Sequence, residues 1–215
     1  MSALTIALAK GRLLEPSISL FESFGYALDG GQNGSRSLIV EAESGGVRFL
    51  FAKASDVPVY VEYGAADIGI VGQDVLREMG SNVYEPLVLN YGQCRLVVAG
   101  KPEHRDADWR LVTGLRVATK YPRLADKFFS SRGLTVEIIG LYGSVELAPR
   151  VGLADLIVDV VDTGRTLKEN GLVELEQVLK CQATLIVNRA SHTLRVTEIR
   201  DLIERISATE IAVRS

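Results

Sequence analysis

Cysteine is scarce in this chain: Cys94 and Cys181 are the only two among 215 residues. They lie far apart and form no CxxC, which argues against structural zinc and a disulfide framework and favours reduced thiols in a cytoplasmic protein. Histidine is equally sparse. Neither His104 nor His192 has a partner at catalytic spacing, so no Ser-His-Asp or Cys-His set is present. No apolar run approaches the ~18 residues of a membrane span. The first residues, MSALTIALAKGRL, lack the basic, apolar and small-residue regions of a secretory signal. A net charge of -3 leaves no basic excess for a nucleic-acid backbone, while local sites for a small anion stay open. No low-complexity linker and no repeat period interrupts the chain. What remains is an ordinary globular composition, 47% hydrophobic, long enough for one large domain or two small ones.

Apolar periodicity then gives the elements. LTIALA (4–9) reads as a strand. The segment after it reads as a helix, with Pro16 in its first turn, Ile18, Phe21 and Phe24 at helical spacing, and Gly25 to end it. SLIVEAE and VRFLFAK flank Ser44-Gly45-Gly46 as a hairpin. Residues 56–64 read as a helix, 66–72 as a strand, 73–80 as a helix and 83–89 as a strand. CRLVVAG (94–100) is a strand followed by a polar loop. Residues 114–161 read strand, helix, strand, helix, strand, with helices at 122–133 and 144–152. A short helix from about 164 to 171, strands at 172–179 and 183–189, and a final helix at 197–206 capped by Thr197 complete the reading. This alternation predicts an α/β fold with mainly parallel sheets in two lobes. Residues 1–90 plus about 181–215 form the first lobe and 91–180 the second.

One stretch asks for chemistry. DLIVDVVDTGRT (155–166) runs from a strand apolar on both faces into a sharp turn at its carboxyl end, where ligands collect in open α/β sheets. Gly164 allows a tight turn and close approach. The following N–H groups and helix N-terminus favour an anion, and Thr163, Thr166 and Arg165 add hydroxyls and charge. Carboxylates at Asp159 and Glu146 suit ribose hydroxyls. The combination describes a phosphorylated ribose. Read from these residues alone, an Asp162 or Thr163 that merely caps the next helix fits as well.

The whole chain resembles the short form of the ATP phosphoribosyltransferase family. LTIALAKGRL, DVPVYVEYGAADIGIVGQDVL and LYGSVELAPRVGLADLIVDVVDTGRTLKENGL match its signatures in order. The resemblance implies two lobes of the type II periplasmic-binding-protein kind with the active site in the inter-lobe cleft. It implies a glycosyltransferase, Mg2+-dependent, converting ATP and phosphoribosyl pyrophosphate (PRPP) to N1-(5-phosphoribosyl)-ATP and pyrophosphate in the first step of L-histidine biosynthesis. It places PRPP on Glu146, Asp159, Val160, Val161, Asp162, Thr163, Gly164, Arg165, Thr166 and Leu167, and makes Lys10 and Arg12 catalytic. ATP or other anions fall to Lys10, Gly11, Arg12, Arg36, Lys53, Gly72, Asp74, Tyr91 and Cys94. Asp74 equally suits an N-cap, Tyr91 a core position, and Arg36 and Lys53 a plain surface. The metal ligands are not specified. Long-form relatives carry a C-terminal regulatory domain that the resemblance does not place here. The expected partners are instead a second catalytic chain and a regulatory subunit resembling histidyl-tRNA synthetase, in a hetero-octamer. Two positions depart from the family pattern: Ala9 stands where proline is common, and Lys53 where arginine is common. The second keeps the charge but loses the planar fork.

Overall fold

The computed structural model describes residues 3–28 and 37–214, with side chains to residue 209. The chain divides into two compact units, Met1–Gly92 with Gln182–Ser215, and Gln93–Cys181.

The first unit contains β1 (Leu4–Ala9), α1 (Leu14–Glu22), β2 (Ile39–Glu41), β3 (Val47–Ala52), α2 (Val57–Glu62), β4 (Ile68–Gly72), α3 (Gln73–Met79) and β5 (Tyr84–Val88). The second contains β6 (Cys94–Gly100), β7 (Arg116–Thr119), α4 (Pro122–Ser130), β8 (Glu137–Gly140), β9 (Leu156–Val161), α5 (Arg165–Glu169) and β10 (Val173–Cys181). β11 (Ala183–Val187), α6 (Arg189–Leu194) and α7 (Val196–Arg214) return to the first. The sheet orders are β2-β3-β1-β4-β11-β5 and β10-β6-β9-β7-β8.

The α/β class follows from buried strands covered by helices. β1 is apolar on both faces, and Ile6, Ala7 and Leu8 are fully buried. α1 places Ile18, Leu20 and Phe21 on it, and Phe21 meets Phe49 edge-on at 5.4 Å. Each such side chain contributes about 1.5–3 kcal/mol by leaving water. In the second unit, α4 buries Phe128 and Phe129 with Leu96, Val117 and Leu156.

The sheets are mixed, each built on a parallel core. β3-β1-β4 and β8-β7-β9 are parallel cores. Around them β2 pairs as a hairpin arm, and β5, β6, β10 and β11 pair antiparallel. These last four are the strands by which the chain leaves and enters each unit: β11 and β6 run back against the parallel cores, and β5 and β10 pair outside them, in the direction of the cores again.

Three local expectations also change. Residues 144–152 form one 3-10 turn, Val145–Leu147, and then turns. Pro149 has no N–H to continue a helical ladder. Thr197 lies inside α7, which starts at Val196, so it caps nothing. The unexpected α6 is capped by Asn188, whose side chain accepts the Ser191 N–H at 2.9 Å and donates to the Val61 carbonyl at 2.8 Å.

Each unit repeats one register device although the sequence has no repeat period. An aspartate just before one parallel strand exchanges two hydrogen bonds with the start of its neighbour. Asp67 accepts the Thr5 N–H at 2.9 Å and donates its own N–H to Thr5 O at 2.8 Å. Asp155 does the same with Arg116, at 2.9 Å both ways. Both devices sit at the amino ends of the parallel strands. The carboxyl ends stay clear for chemistry.

Candidate functional site

In the second unit, β9 carries its residues alternately to two faces. Ile157 and Val161 pack in one cluster with Val145, Ala148 and Leu167, while Leu156 and Val158 pack on the opposite face. The alternation of a strand puts Asp159 on the Ile157/Val161 face. The turn bearing Glu146 covers that face through Val145. Both carboxylates are half-buried. Asp159 also turns one oxygen to the Val160 N–H at 2.9 Å.

Past Val161 the chain turns on Gly164, whose φ of +78° is the left-handed conformation that glycine adopts at little cost. Gly164 is the N-cap of α5, and no side chain caps that helix. The plain capping role for Asp162 or Thr163 is therefore not realised. Asp162, Thr163, Arg165 and Thr166 are exposed, and Leu167 anchors α5 in the core. The first N–H groups of a helix have no intrahelical acceptor. Here they lie beside two exposed threonine hydroxyls.

Reading the sequence missed the brace of this turn. Arg95, on β6, binds Glu174, on β10, through Nε at 3.0 Å and Nη2 at 2.6 Å. Its Nη1 donates to the Asp162 carbonyl at 3.2 Å. Hydrogen bonding to Glu174 first, and the charge of that carboxylate second, raise the Arg95 pKa above its ordinary value. Arg95 is thus a fixed cation at every physiological pH. The two partners are 79 residues apart, so no local pattern signals them.

Thr119 ends β7 fully buried. Its hydroxyl donates to the Val158 carbonyl at 2.6 Å and accepts the Tyr121 N–H at 2.8 Å, which ties the ends of β7 and β9 together. Cys94 opens β6 opposite Cys181 on β10.

In the first unit, the carboxyl ends of β1, β3 and β4 lie side by side. The Lys10 N–H donates to Ala52 O at 2.8 Å, which puts Lys10 next to Lys53 at the end of β3. Gly11 turns with a φ of +101°, and Lys10, Arg12 and Lys53 are all exposed. Gly72 ends β4 on the same edge and is the N-cap of α3. Asp74 is buried in the first turn of α3. Tyr91 packs against the core of this unit, and its hydroxyl lies 2.8 Å from Ser17 Oγ. Ser17 spends its own proton on the Leu13 carbonyl at 2.6 Å, so Tyr91 is the donor. Arg36 lies outside the described residues.

His192 meets the Tyr84 ring at 4.7 Å in a tilted contact. The His104 carbonyl accepts the Trp109 indole N–H. Both contacts are structural. Among the described residues no helix is long and apolar enough to cross a membrane.

Comparison with known proteins gives the family. A family model described as HisG, ATP phosphoribosyltransferase, matches residues 53–208. A protein named ATP phosphoribosyltransferase from Caldanaerobacter subterraneus subsp. tengcongensis is 48% identical over 206 residues, 96% of this chain and 97% of the relative. One of the same name from Geobacter metallireducens is 49% identical over 94% of this chain and 95% of its own length. Among solved structures, the ATP phosphoribosyl transferase (HisG:HisZ) complex from Thermotoga maritima superposes with a TM-score of 0.82 at 33% identity, covering 95% of this chain and 97% of that one. The periplasmic aliphatic sulphonate binding protein SsuA from Escherichia coli gives 0.61 at 15% identity, covering 100% of this chain and 74% of that one; this likeness shows the fold alone. The chain belongs to the HisG family of ATP phosphoribosyltransferases.

Proposed function

We propose that the chain transfers the 5-phosphoribosyl group of PRPP to N1 of ATP, giving N1-(5-phosphoribosyl)-ATP and pyrophosphate. This is the first step of L-histidine biosynthesis. Family membership supports the reaction. The uncapped Gly164 turn at the carboxyl end of β9 carries the assignment of residues. In this reading the 5-phosphate of PRPP lies on the N–H groups of residues 164–167 and the hydroxyls of Thr163 and Thr166. Asp159 and Glu146 accept the ribose hydroxyls. Val160 and Val161 bring the strand end to the sugar, and Arg165 and Asp162 flank it. Lys10, Gly11, Arg12 and Lys53 hold anionic oxygens of ATP or of the pyrophosphate, with Gly72 and Asp74 beside them on the same sheet edge. Tyr91 and Cys94 are further ATP-binding candidates carried by the family resemblance alone.

Chemistry then requires a bond from adenine N1 to the anomeric carbon while the bond from that carbon to pyrophosphate breaks. Charge grows on the leaving oxygens, and fixed cations stabilise it without reorganisation. The hard oxygen donors of Asp159, Asp162 and Glu146 fit Mg2+, which favours one or two carboxylates together with substrate phosphates. When bound, Mg2+ neutralises the pyrophosphate.

We further propose a cytoplasmic location, since both substrates are cytoplasmic metabolites. A catalytic homodimer within a hetero-octamer, completed by a HisZ-like subunit resembling histidyl-tRNA synthetase, extends the assembly named for the Thermotoga maritima structure. The test is to mix the purified chain with ATP, PRPP and Mg2+, with and without that subunit, and follow the absorbance of phosphoribosyl-ATP. Product in either tube supports the reading. No product but saturable PRPP binding points to another nucleophile. Neither product nor binding overturns the reading.

A further inference from the structure

We infer that Arg95 and Glu174 are positioning residues for the phosphate turn, and that Arg95 also cancels a carboxylate that would otherwise repel the phosphate. This inference rests on the proposed placement of PRPP at residues 163–167.

The geometry has three parts. First, Arg95 is the strand partner of Val161, the last residue of β9. Alternation along β6 puts it on the face of Val97 and Ala99, the face that α5 covers. Second, its guanidinium spans two segments. Nε and Nη2 take both oxygens of Glu174, and Nη1 takes the carbonyl of Asp162, the first residue of the turn. The planar fork fixes three acceptors at once, which a lysine ammonium cannot do with the same geometry. Third, Glu174 stands at the turn itself. A Cβ built on Gly164 would lie 3.4 Å from Glu174 Oε1.

An anion-binding turn beside a bare carboxylate would be poorly designed, because like charges a few ångströms apart repel. With both oxygens of Glu174 committed to Arg95, the charge is compensated locally. Arg95 is equally committed, so it serves as frame and counter-charge and is not a phosphate ligand. The remaining donors at the turn then belong to Thr163, Thr166 and the backbone.

The experiment measures PRPP and ATP dissociation constants of the full-length chain by calorimetry in the presence of Mg2+, with thermal melting of each variant alongside. Arg95→Ala loses the Asp162 contact and exposes Glu174, and we expect PRPP affinity to fall about tenfold or more with ATP affinity unchanged. Arg95→Lys restores the charge but not the fork and should lie between Arg95→Ala and the parent chain. The double variant Arg95→Ala/Glu174→Ala removes the repulsion and should recover part of the loss. Thr166→Val serves as the independent check on the turn. If Thr166→Val weakens PRPP binding and Arg95→Ala does not, the brace is overturned and the turn stands. If neither variant changes PRPP affinity, the placement of PRPP fails and the brace with it. If Arg95→Ala weakens both ligands equally and lowers the melting temperature, its role is general stability, which also overturns the proposal.

Discussion

The Asp74 carboxylate lies over the Cα of Gly72 so closely that a Cβ added there would stand 2.2 Å from Oδ1. Gly72 has an ordinary extended backbone, φ -72°, so glycine is required there by room and not by conformation. Asp74 is only 5% exposed, so a carboxylate displaced by that Cβ would have to shift within a buried setting. Gly72→Ala is therefore expected to cost about 1–3 kcal/mol as an overpacking change, read as a lower denaturation midpoint. ATP affinity should fall with it if this edge binds the nucleotide.

Thr166→Val keeps the shape of an exposed side chain and removes its hydroxyl. The fold should be intact by circular dichroism. PRPP binding should weaken by about 1.5–3 kcal/mol, the worth of one hydrogen bond to a charged group. Unchanged affinity in calorimetry would remove the threonine from the phosphate site.

Gly164→Ala tests the turn by strain. With φ at +78° an L side chain costs roughly 1–2 kcal/mol, and the new Cβ also approaches Glu174. Gly164→Asn should be milder, since asparagine tolerates the left-handed region. The expected order of PRPP affinity is the parent chain, then Asn, then Ala, and equal affinities would contradict it.

The two register aspartates should differ in cost. Asp67 also binds Arg195 at 3.1 Å and the Ser191 hydroxyl at 2.6 Å, and the ion pair is about one-sixth exposed. Asp67→Ala leaves the Arg195 cation with one fewer partner in a mostly buried place and should cost about 3 kcal/mol. Asp155 pairs with Arg116 only at 3.7 Å, with both side chains at least a third exposed. Asp155→Ala should cost about 1 kcal/mol, chiefly the backbone hydrogen bond. Urea denaturation of the two variants checks the order.

The residues that announced themselves in sequence are those with local signatures. LTIALA, ADIGIVG and LIVDVV are short apolar runs closed by turn residues, and they form β1, β4 and β9. The turn at Gly164 was legible because glycine, two threonines and a buried strand are contiguous. Strand direction was not legible. β6 looks like any apolar strand and β10 like a half-buried one with polar residues interspersed, and their antiparallel pairing depends on where the chain enters and leaves a unit. α6 carried a signal that was passed over, an asparagine followed three residues later by a serine whose N–H it accepts. Glu146 was read on a helix because VELAPRVG is apolar at nearly helical spacing, but Pro149 and Gly152 stop it after one turn. Arg95 and Glu174 had no signature at all, because their meeting is made by the sheet.

The most direct test of the central claim is a crystal structure of the chain with PRPP and Mg2+. The 5-phosphate is expected on the N–H groups of residues 164–167 within hydrogen-bonding distance of the Thr163 and Thr166 hydroxyls, with the ribose hydroxyls on Asp159 and Glu146. A 5-phosphate seated instead on Lys10, Gly11 and Arg12, with the Gly164 turn empty, would contradict it.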